Sequence, residues 1–313
     1  MSKNIHISIQ GLYHNYESSF LPALIRSLGY KIEWVDASKA DLVIYGPFFN
    51  AKDRNRWVPR PLRPLFNGDL HCFLKKERRA LTLFHTSENI RYDQLATDYS
   101  LSFDYILGIE HFRLPLWMEV LDWTCEGLKD VTNPRFGKLI EINRLMQPLG
   151  SSFLSKPRRV AFFSSHLREP RSSLLKALSK VIPVDGMGPY FDHSIVDHNQ
   201  SNFSKFTRLK NYGFNLCPEN SLYPGYCTEK IPEAFAAGTL PISWVDVNVR
   251  HDFNPEAFIN LYPYTEEQFT TPLSWLTDEK CLNAYAEQPL LLNKPSIEGL
   301  KVFMLEVLRK AKS

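Results

Sequence analysis

At 313 residues the chain exceeds one ordinary domain, and 44% apolar with 23% charged residues suffices for two cores, each in a domain of about 150 residues. A net charge of +3 excludes a dedicated nucleic-acid binder while permitting a locally basic pocket. The five cysteines, Cys72, Cys125, Cys217, Cys227 and Cys281, show no metal-ligand spacing, and no stretch approaches the roughly 18 apolar residues of a membrane span.

Residues 4–10 alternate as a strand, 19–28 read as a helix ended by Gly29, and 31–35 and 41–45 as two further strands. Strand, helix, strand spacing of this kind predicts a parallel, doubly wound sheet whose ligand crevice lies at the strands' carboxyl ends. Residues 54–63 are basic and proline-rich around Trp57, a solvated loop or the wall of a substrate groove. Residues 81–84 form a fourth strand, and His85, Thr86, Ser87, Glu88 and Asn89 follow at its crevice end. His85, a lone histidine there, reads as a structural hydrogen-bonding group.

Residues 126–146 read as part helix and part loop, and 149–159 as a linker dividing domains 1–155 and 156–313. The strand pattern restarts at 159–164. An amphipathic helix follows, with Arg168 and Arg171 near its start, an ordinary solvated helix start for either. Residues 181–190 are a strand entering a turn with Gly186 and Gly188, and 202–210 a helix with a basic, solvated face.

The stretch 214–244 is the most informative. Phe214, Leu216 and Cys217 are strand residues, 218–225 is a loop of Pro, Asn, Ser and Gly, and a helix then begins with Thr228 as N-cap. Ile231, Ala234 and Phe235 give that helix its apolar face, Pro232 is tolerated in its first turn, Gly238 stops it, and 240–245 is a buried strand. The loop carries Glu219, Asn220, Tyr226, Glu229 and Lys230 to a helix N-terminus, a place that favours anions. Cys217 and Cys227 flank it; a closing disulfide is conceivable, but reduced, partly buried thiols suit a sequence without a signal peptide. Asp246-Val247-Asn248 comes nearest to a metal-binding DxD, and no metal site is expected. Residues 271–285 and 296–312 read as amphipathic helices.

The run PENSLYPGYCTEK, followed by the apolar helix and LPISW, resembles the donor-binding signature of the α1,3/4-fucosyltransferases of glycosyltransferase family 10, especially bacterial members. The resemblance extends to Glu88-Asn89, Asp93, Ser102-Phe103-Asp104-Tyr105, the segment 113–117 and the segment 254–260. It implies an α/β fold of GT-B type, two Rossmann-like doubly wound domains facing a central cleft, with the last helix packing back on the N-terminal domain. It implies Glu88 as general base, Arg171 (with Arg168 as near competitor) and Lys230 on the donor diphosphate, Glu229 on ribose hydroxyls, and Asn220 and Tyr226 lining the pocket near the sugar. The expected reaction is inverting α1,3-transfer of L-fucose from GDP-β-L-fucose to an N-acetylglucosamine- or glucose-containing oligosaccharide or glycolipid, in bacterial lipopolysaccharide or surface-glycan synthesis. No cofactor, metal or nucleic acid is expected, and the location is cytoplasmic with a peripheral membrane contact left open. The family often has Gly after the second strand's aromatic residue, whereas Trp244 is followed by Val245 and Asp246. A donor carrying another GDP-linked deoxy sugar, or a catalytically idle nucleotide-sugar-binding protein, are the alternatives.

Overall fold

The computed structural model describes residues 3–49, 80–133, 135–192, 204–264 and 266–313, so the basic segment 54–63 lies outside the described residues. These residues form two compact units, one of Met1–Glu119, Trp123–Val131 and Ser296–Ser313, the other of Val120–Asp122 and Thr132–Pro295.

The first unit contains β1 (Lys3–Gln10), α1 (Phe20–Ser27), β2 (Tyr30–Trp34), β3 (Leu42–Tyr45), β4 (Leu81–His85), β5 (Tyr99–Ser102), β6 (His111–Arg113) and α2 (Leu116–Glu119). The strands are all parallel in the order β2-β1-β3-β4-β5-β6, so the winding direction reverses between β1 and β3. Phe20, Leu21, Leu24 and Ile25 of α1 are buried, as are Ile5, Ile7 and residues Leu42 to Tyr45 of the sheet. Burying each large apolar side chain contributes about 1.5–3 kcal/mol, and this layer holds the strands in register.

The strands β5 and β6 are absent from the sequence reading, because Ser100, Ser102 and His111 interrupt any apolar rhythm. In the fold these polar groups satisfy one another. His111 Nε2 donates to the Asp104 carbonyl (3.1 Å), so its Nδ1 accepts from the Ser100 hydroxyl (2.8 Å), and burial lowers the imidazole's pKa, favouring this neutral form.

The second unit contains α3 (Ile142–Leu145), β7 (Val160–Phe163), α4 (Arg171–Leu178), β8 (Val184–Met187), α5 (Lys205–Leu209), β9 (Phe214–Leu216), α6 (Lys230–Ala236), β10 (Leu240–Ser243), β11 (Ile259–Asn260), α7 (Thr270–Ser274) and α8 (Glu279–Ala286). Its parallel order is β11-β10-β9-β7-β8, with the reversal between β7 and β9. The segment expected to be a linker, 149–159, lies inside this unit: Phe153 is buried edge-on to Phe214 at 5.8 Å.

Two further expectations change in extent. The stretch 126–146 holds little helix beyond α3 and a 3-10 turn at Thr124–Glu126. The helix expected over 271–285 is two helices, because the Asp278 carboxylate accepts from the amides of Lys280 (2.8 Å) and Cys281 (3.3 Å) and caps α8 afresh. Gly188, at φ +92° against Ser164, makes the turn after β8 that brings the chain back over β7. Cys217 and Cys227 are buried free thiols.

From Ser296 the chain belongs to the first unit again. There α9 (Glu298–Lys312) sets Phe303 within 5.7 Å of both Tyr99 and Phe112. Lys301 donates to Glu126 (2.8 Å), Lys310 to the Tyr99 hydroxyl (2.7 Å) and Lys312 to Asp41 (3.1 Å). Among the described residues no helix is long and apolar enough to cross a membrane.

Candidate functional site

In an open parallel sheet, ligands settle where the winding reverses, at the strands' carboxyl ends. In the second unit that point lies between β7 and β9. The loop after β7 supplies Ser164, His166 and Arg171, and the loop after β9 supplies Glu219, Asn220, Tyr226, Glu229 and Lys230.

Arg171 is the first residue of α4 and is buried. Its Nη1 donates to Ser164 Oγ (3.1 Å) and lies 3.0 Å from His166 Nε2, while Nη2 donates to Asn220 Oδ1 at 2.6 Å. The Arg171–Asn220 bond therefore ties the two loops across the reversal. Burial, followed by the charges of Arg171 and Arg168, lowers the His166 pKa and leaves the ring neutral beside the guanidinium. Arg168, the competitor for the role of Arg171, is exposed.

The loop after β9 closes on itself through Glu219, which is fully buried. Glu219 Oε1 accepts from the Thr228 amide and hydroxyl, both at 2.8 Å, and Oε2 accepts from Lys230 Nζ at 2.6 Å. Lys230 Nζ also donates to Thr228 Oγ1 (2.8 Å). Thr228, expected as the helix N-cap, is thus used by Glu219 instead, and Glu229 occupies the N-cap position of α6 without a side-chain cap bond. Tyr226 is buried, its amide bonded to the Tyr223 carbonyl at 3.0 Å, and Asn220 is exposed.

Beneath this lies a second charged layer. Glu233, one turn along α6 from Glu229 and buried, accepts from Lys205 Nζ (2.7 Å) and Asn133 Nδ2 (3.2 Å). Burial pushes the Glu233 carboxyl up. Burial would do the same to Glu229, but the positive charges of Lys230, Arg135 and Lys205 outweigh it and bring its pKa down to about 2. Burial alone would lower Lys230; the adjacent Glu219 and Glu229 raise it instead, so the ammonium stays charged. Arg171 is lowered by burial, with Glu219 opposing.

In the first unit, Glu88 stands just past the end of β4, partly exposed. Its amide donates to Thr86 Oγ1 (3.1 Å) and its carbonyl accepts from the Ile90 amide (2.6 Å), which fixes the turn. No side chain among the described residues pairs with its carboxylate. The strand end beneath is pinned: buried His85 lies between the Tyr16 hydroxyl (Nδ1, 2.7 Å) and Glu119 (Nε2, 3.2 Å), so the structural reading of His85 agrees with this geometry.

The geometry thus gathers Arg171, Asn220, Tyr226, Glu229 and Lys230 around one switch point and sets Glu88 on the other unit. Sequence reasoning gave Glu219 no role beyond that of a loop charge and passed over Ser164 and His166. Glu219 carried a faint signal: an acid directly after a strand-ending proline, with a lysine at the start of the following helix. Among the described residues no group of three or more His, Cys, Asp or Glu is placed to hold a metal, and Asp246 instead accepts from the amide (2.9 Å) and side chain (2.6 Å) of Asn248 in a cap.

Comparison with known proteins places these features. Residues 153–287 match the sequence model of glycosyltransferase family 10 (fucosyltransferase), C-terminal part. An α-(1,3)-fucosyltransferase, FucT of Helicobacter pylori, is 30% identical over 204 residues, covering 60% of this chain and 42% of that protein. The chain thus spans less than half the length of this curated relative. A crystal structure of an α1,3-fucosyltransferase superimposes with a TM-score of 0.68 at 21% identity, covering 98% of this chain and 91% of that one. A crystal structure described as α1,3-fucosyltransferase with GDP-fucose gives 0.67 at 22% identity over the same shares. At such identity these matches speak for the fold, and that fold is the GT-B type expected from the sequence.

Proposed function

We propose that this chain, which carries the glycosyltransferase family 10 domain over residues 153–287, is a fucosyltransferase that moves L-fucose from GDP-β-L-fucose to a sugar hydroxyl. The observation that supports this most directly is the Arg171–Asn220 bond across the β7–β9 reversal, set beside the Glu219–Thr228–Lys230 latch and lying within the family segment. A guanidinium has five N–H donors and an ammonium three. The bonds described use three of the first and two of the second, so both cations keep donors to offer a diphosphate while remaining fixed in position.

In this reading Glu88 takes the proton of the acceptor hydroxyl as its oxygen bonds the anomeric carbon, and the bond from that carbon to the diphosphate oxygen breaks. One displacement inverts the anomeric centre, from β-linked donor to α-linked product. Arg171 and Lys230 stabilise the negative charge that grows on the departing GDP, Glu229 binds ribose hydroxyls, and Asn220 and Tyr226 line the sugar end of the pocket. Residues held by the protein before the donor arrives need no reorganisation as that charge develops. The scheme uses no metal or other cofactor. An acceptor built on N-acetylglucosamine or glucose, α1,3-linkage, and a role in lipopolysaccharide or another surface glycan complete the proposal.

The test is GDP release from GDP-fucose with and without N-acetyllactosamine, comparing the wild type with Glu88→Gln. Acceptor-dependent release, reduced by about 100- to 10,000-fold in the variant with GDP binding intact, is the expected result. Binding of GDP-fucose with no acceptor effect overturns the acceptor class, and no binding overturns the donor.

A further inference from the structure

The charges around the start of α6 nearly cancel. Arg171, Lys205 and Lys230 face Glu219, Glu229 and Glu233, and two of these cations are bonded directly to carboxylates in the set, Lys230 to Glu219 at 2.6 Å and Lys205 to Glu233 at 2.7 Å. Such a balanced cluster is stable but offers little net attraction to a diphosphate, which brings at least two negative charges.

A further positive charge lies on a segment outside the matched family region. Arg135 is exposed, and none of the described residues pairs with its side chain. Its backbone is nevertheless firmly placed. The Arg135 carbonyl accepts from the Lys205 amide (3.2 Å), and the Phe136 carbonyl accepts from the Phe206 amide (3.1 Å) and the Ser204 hydroxyl (3.1 Å). Phe136 is fully buried edge-on to Phe206 at 5.2 Å, and Asn133 reaches Glu233 on α6 at 3.2 Å. Gly137, at φ +96°, lets the chain turn where a Cβ would meet Ser204 Oγ at 2.5 Å. The loop is therefore clamped to α5 and α6, and the positive charge of Arg135 bears on Glu229, Glu233 and Arg171 together.

We infer that Arg135 is a third cationic donor-binding residue, which adds positive charge to this site and pairs with the diphosphate of the nucleotide. The inference rests on the donor-binding reading above. It explains why an arginine whose charge opposes that of Arg171 would be carried on a loop clamped to α5 and α6: the repulsion is relieved when a polyanion binds. A guanidinium with all five donors unused among the described residues can grip phosphate oxygens two at a time.

Calorimetric titration of GDP and of GMP into the wild type, Arg135→Ala, Arg135→Gln and Arg135→Lys tests it, with thermal midpoints as a check that each variant is folded. The expected result is about a tenfold loss of GDP affinity in the Ala and Gln variants, a smaller loss for GMP, a shallower salt dependence, and partial recovery with Lys. GDP affinity within twofold of wild type in a folded Arg135→Ala or Arg135→Gln variant overturns the inference alone. A wild type that binds neither nucleotide overturns the donor-binding reading, and the inference with it.

Discussion

The two parallel sheets treat the loops at their carboxyl ends in opposite ways. In the five-stranded unit, the side chains at the switch point are bonded to one another: Glu219 is fully buried among three donors from Thr228 and Lys230, and Arg171 spans from Ser164 to Asn220. In the six-stranded unit, the polar network sits below the loop, at Tyr16, His85 and Glu119, and the acid above it, Glu88, is left without a described side-chain partner. The difference suits the two tasks proposed for these loops. Recognition of a fixed, charged ligand gains from groups already locked in place, whereas a proton acceptor must have an oxygen available when the substrate arrives.

The same chemical change in both places sharpens this contrast most. Glu219→Gln removes one charge of a buried pair and leaves Lys230 without the carboxylate it is bonded to, which costs about 3–5 kcal/mol in urea unfolding. Glu88→Gln changes stability by less than about 0.5 kcal/mol, since it alters a partly exposed group away from any described pairing. Equal losses in the two variants would dissolve the distinction.

A second, smaller effect appears with pH. The Glu229 carboxyl, at about 2 against an ordinary 4.5, binds its proton less tightly folded than unfolded. It therefore contributes stability above pH 4.5 that is lost as pH falls toward 2, on the order of 3 kcal/mol in all. Glu233, raised by burial, tilts the slope the other way, so unfolding of Glu229→Gln and Glu233→Gln between pH 7 and pH 3 separates the two contributions. A Glu229→Gln variant with the wild-type slope would show that Glu229 is not held by its cations.

The smallest expected effect belongs to the network under Glu88. Tyr16→Phe leaves His85 Nδ1 without its hydrogen-bond partner and costs about 1 kcal/mol, while GDP binding, proposed for the other unit, stays unchanged. A changed GDP affinity would contradict that separation.

Much of this contrast was legible in the sequence, and unevenly so. The loop from Pro218 to Gly225 declared itself through its Pro, Asn, Ser and Gly residues, and Glu88 through its place after an apolar strand. Arg171 at a helix start was legible as a type of contact, but choosing it over Arg168 needed the fold, which buries one and exposes the other. Glu219 was seen only as one more loop charge, because its value comes from a chain reversal that returns Thr228 and Lys230 to it. Arg135 sits in an irregular stretch without periodicity and gave no signal. The strands β5, β6 and β11 were missed because strands of two to four residues with polar members carry too little alternation to read.

The return of Ser296–Ser313 to the first unit has a consequence for synthesis. A ribosome delivers β1 to β6 first, yet Phe303, Lys310 and Lys312, which cover Tyr99, Phe112 and Asp41, leave the exit tunnel only after the whole of the second unit. At ordinary translation rates that interval is on the order of ten to thirty seconds. A nascent chain paused before Ser296 thus holds a complete second unit beside a first one still lacking its closing helix, and during that interval the flank of β5 and β6 depends on chaperones or on its own collapse to stay out of aggregates.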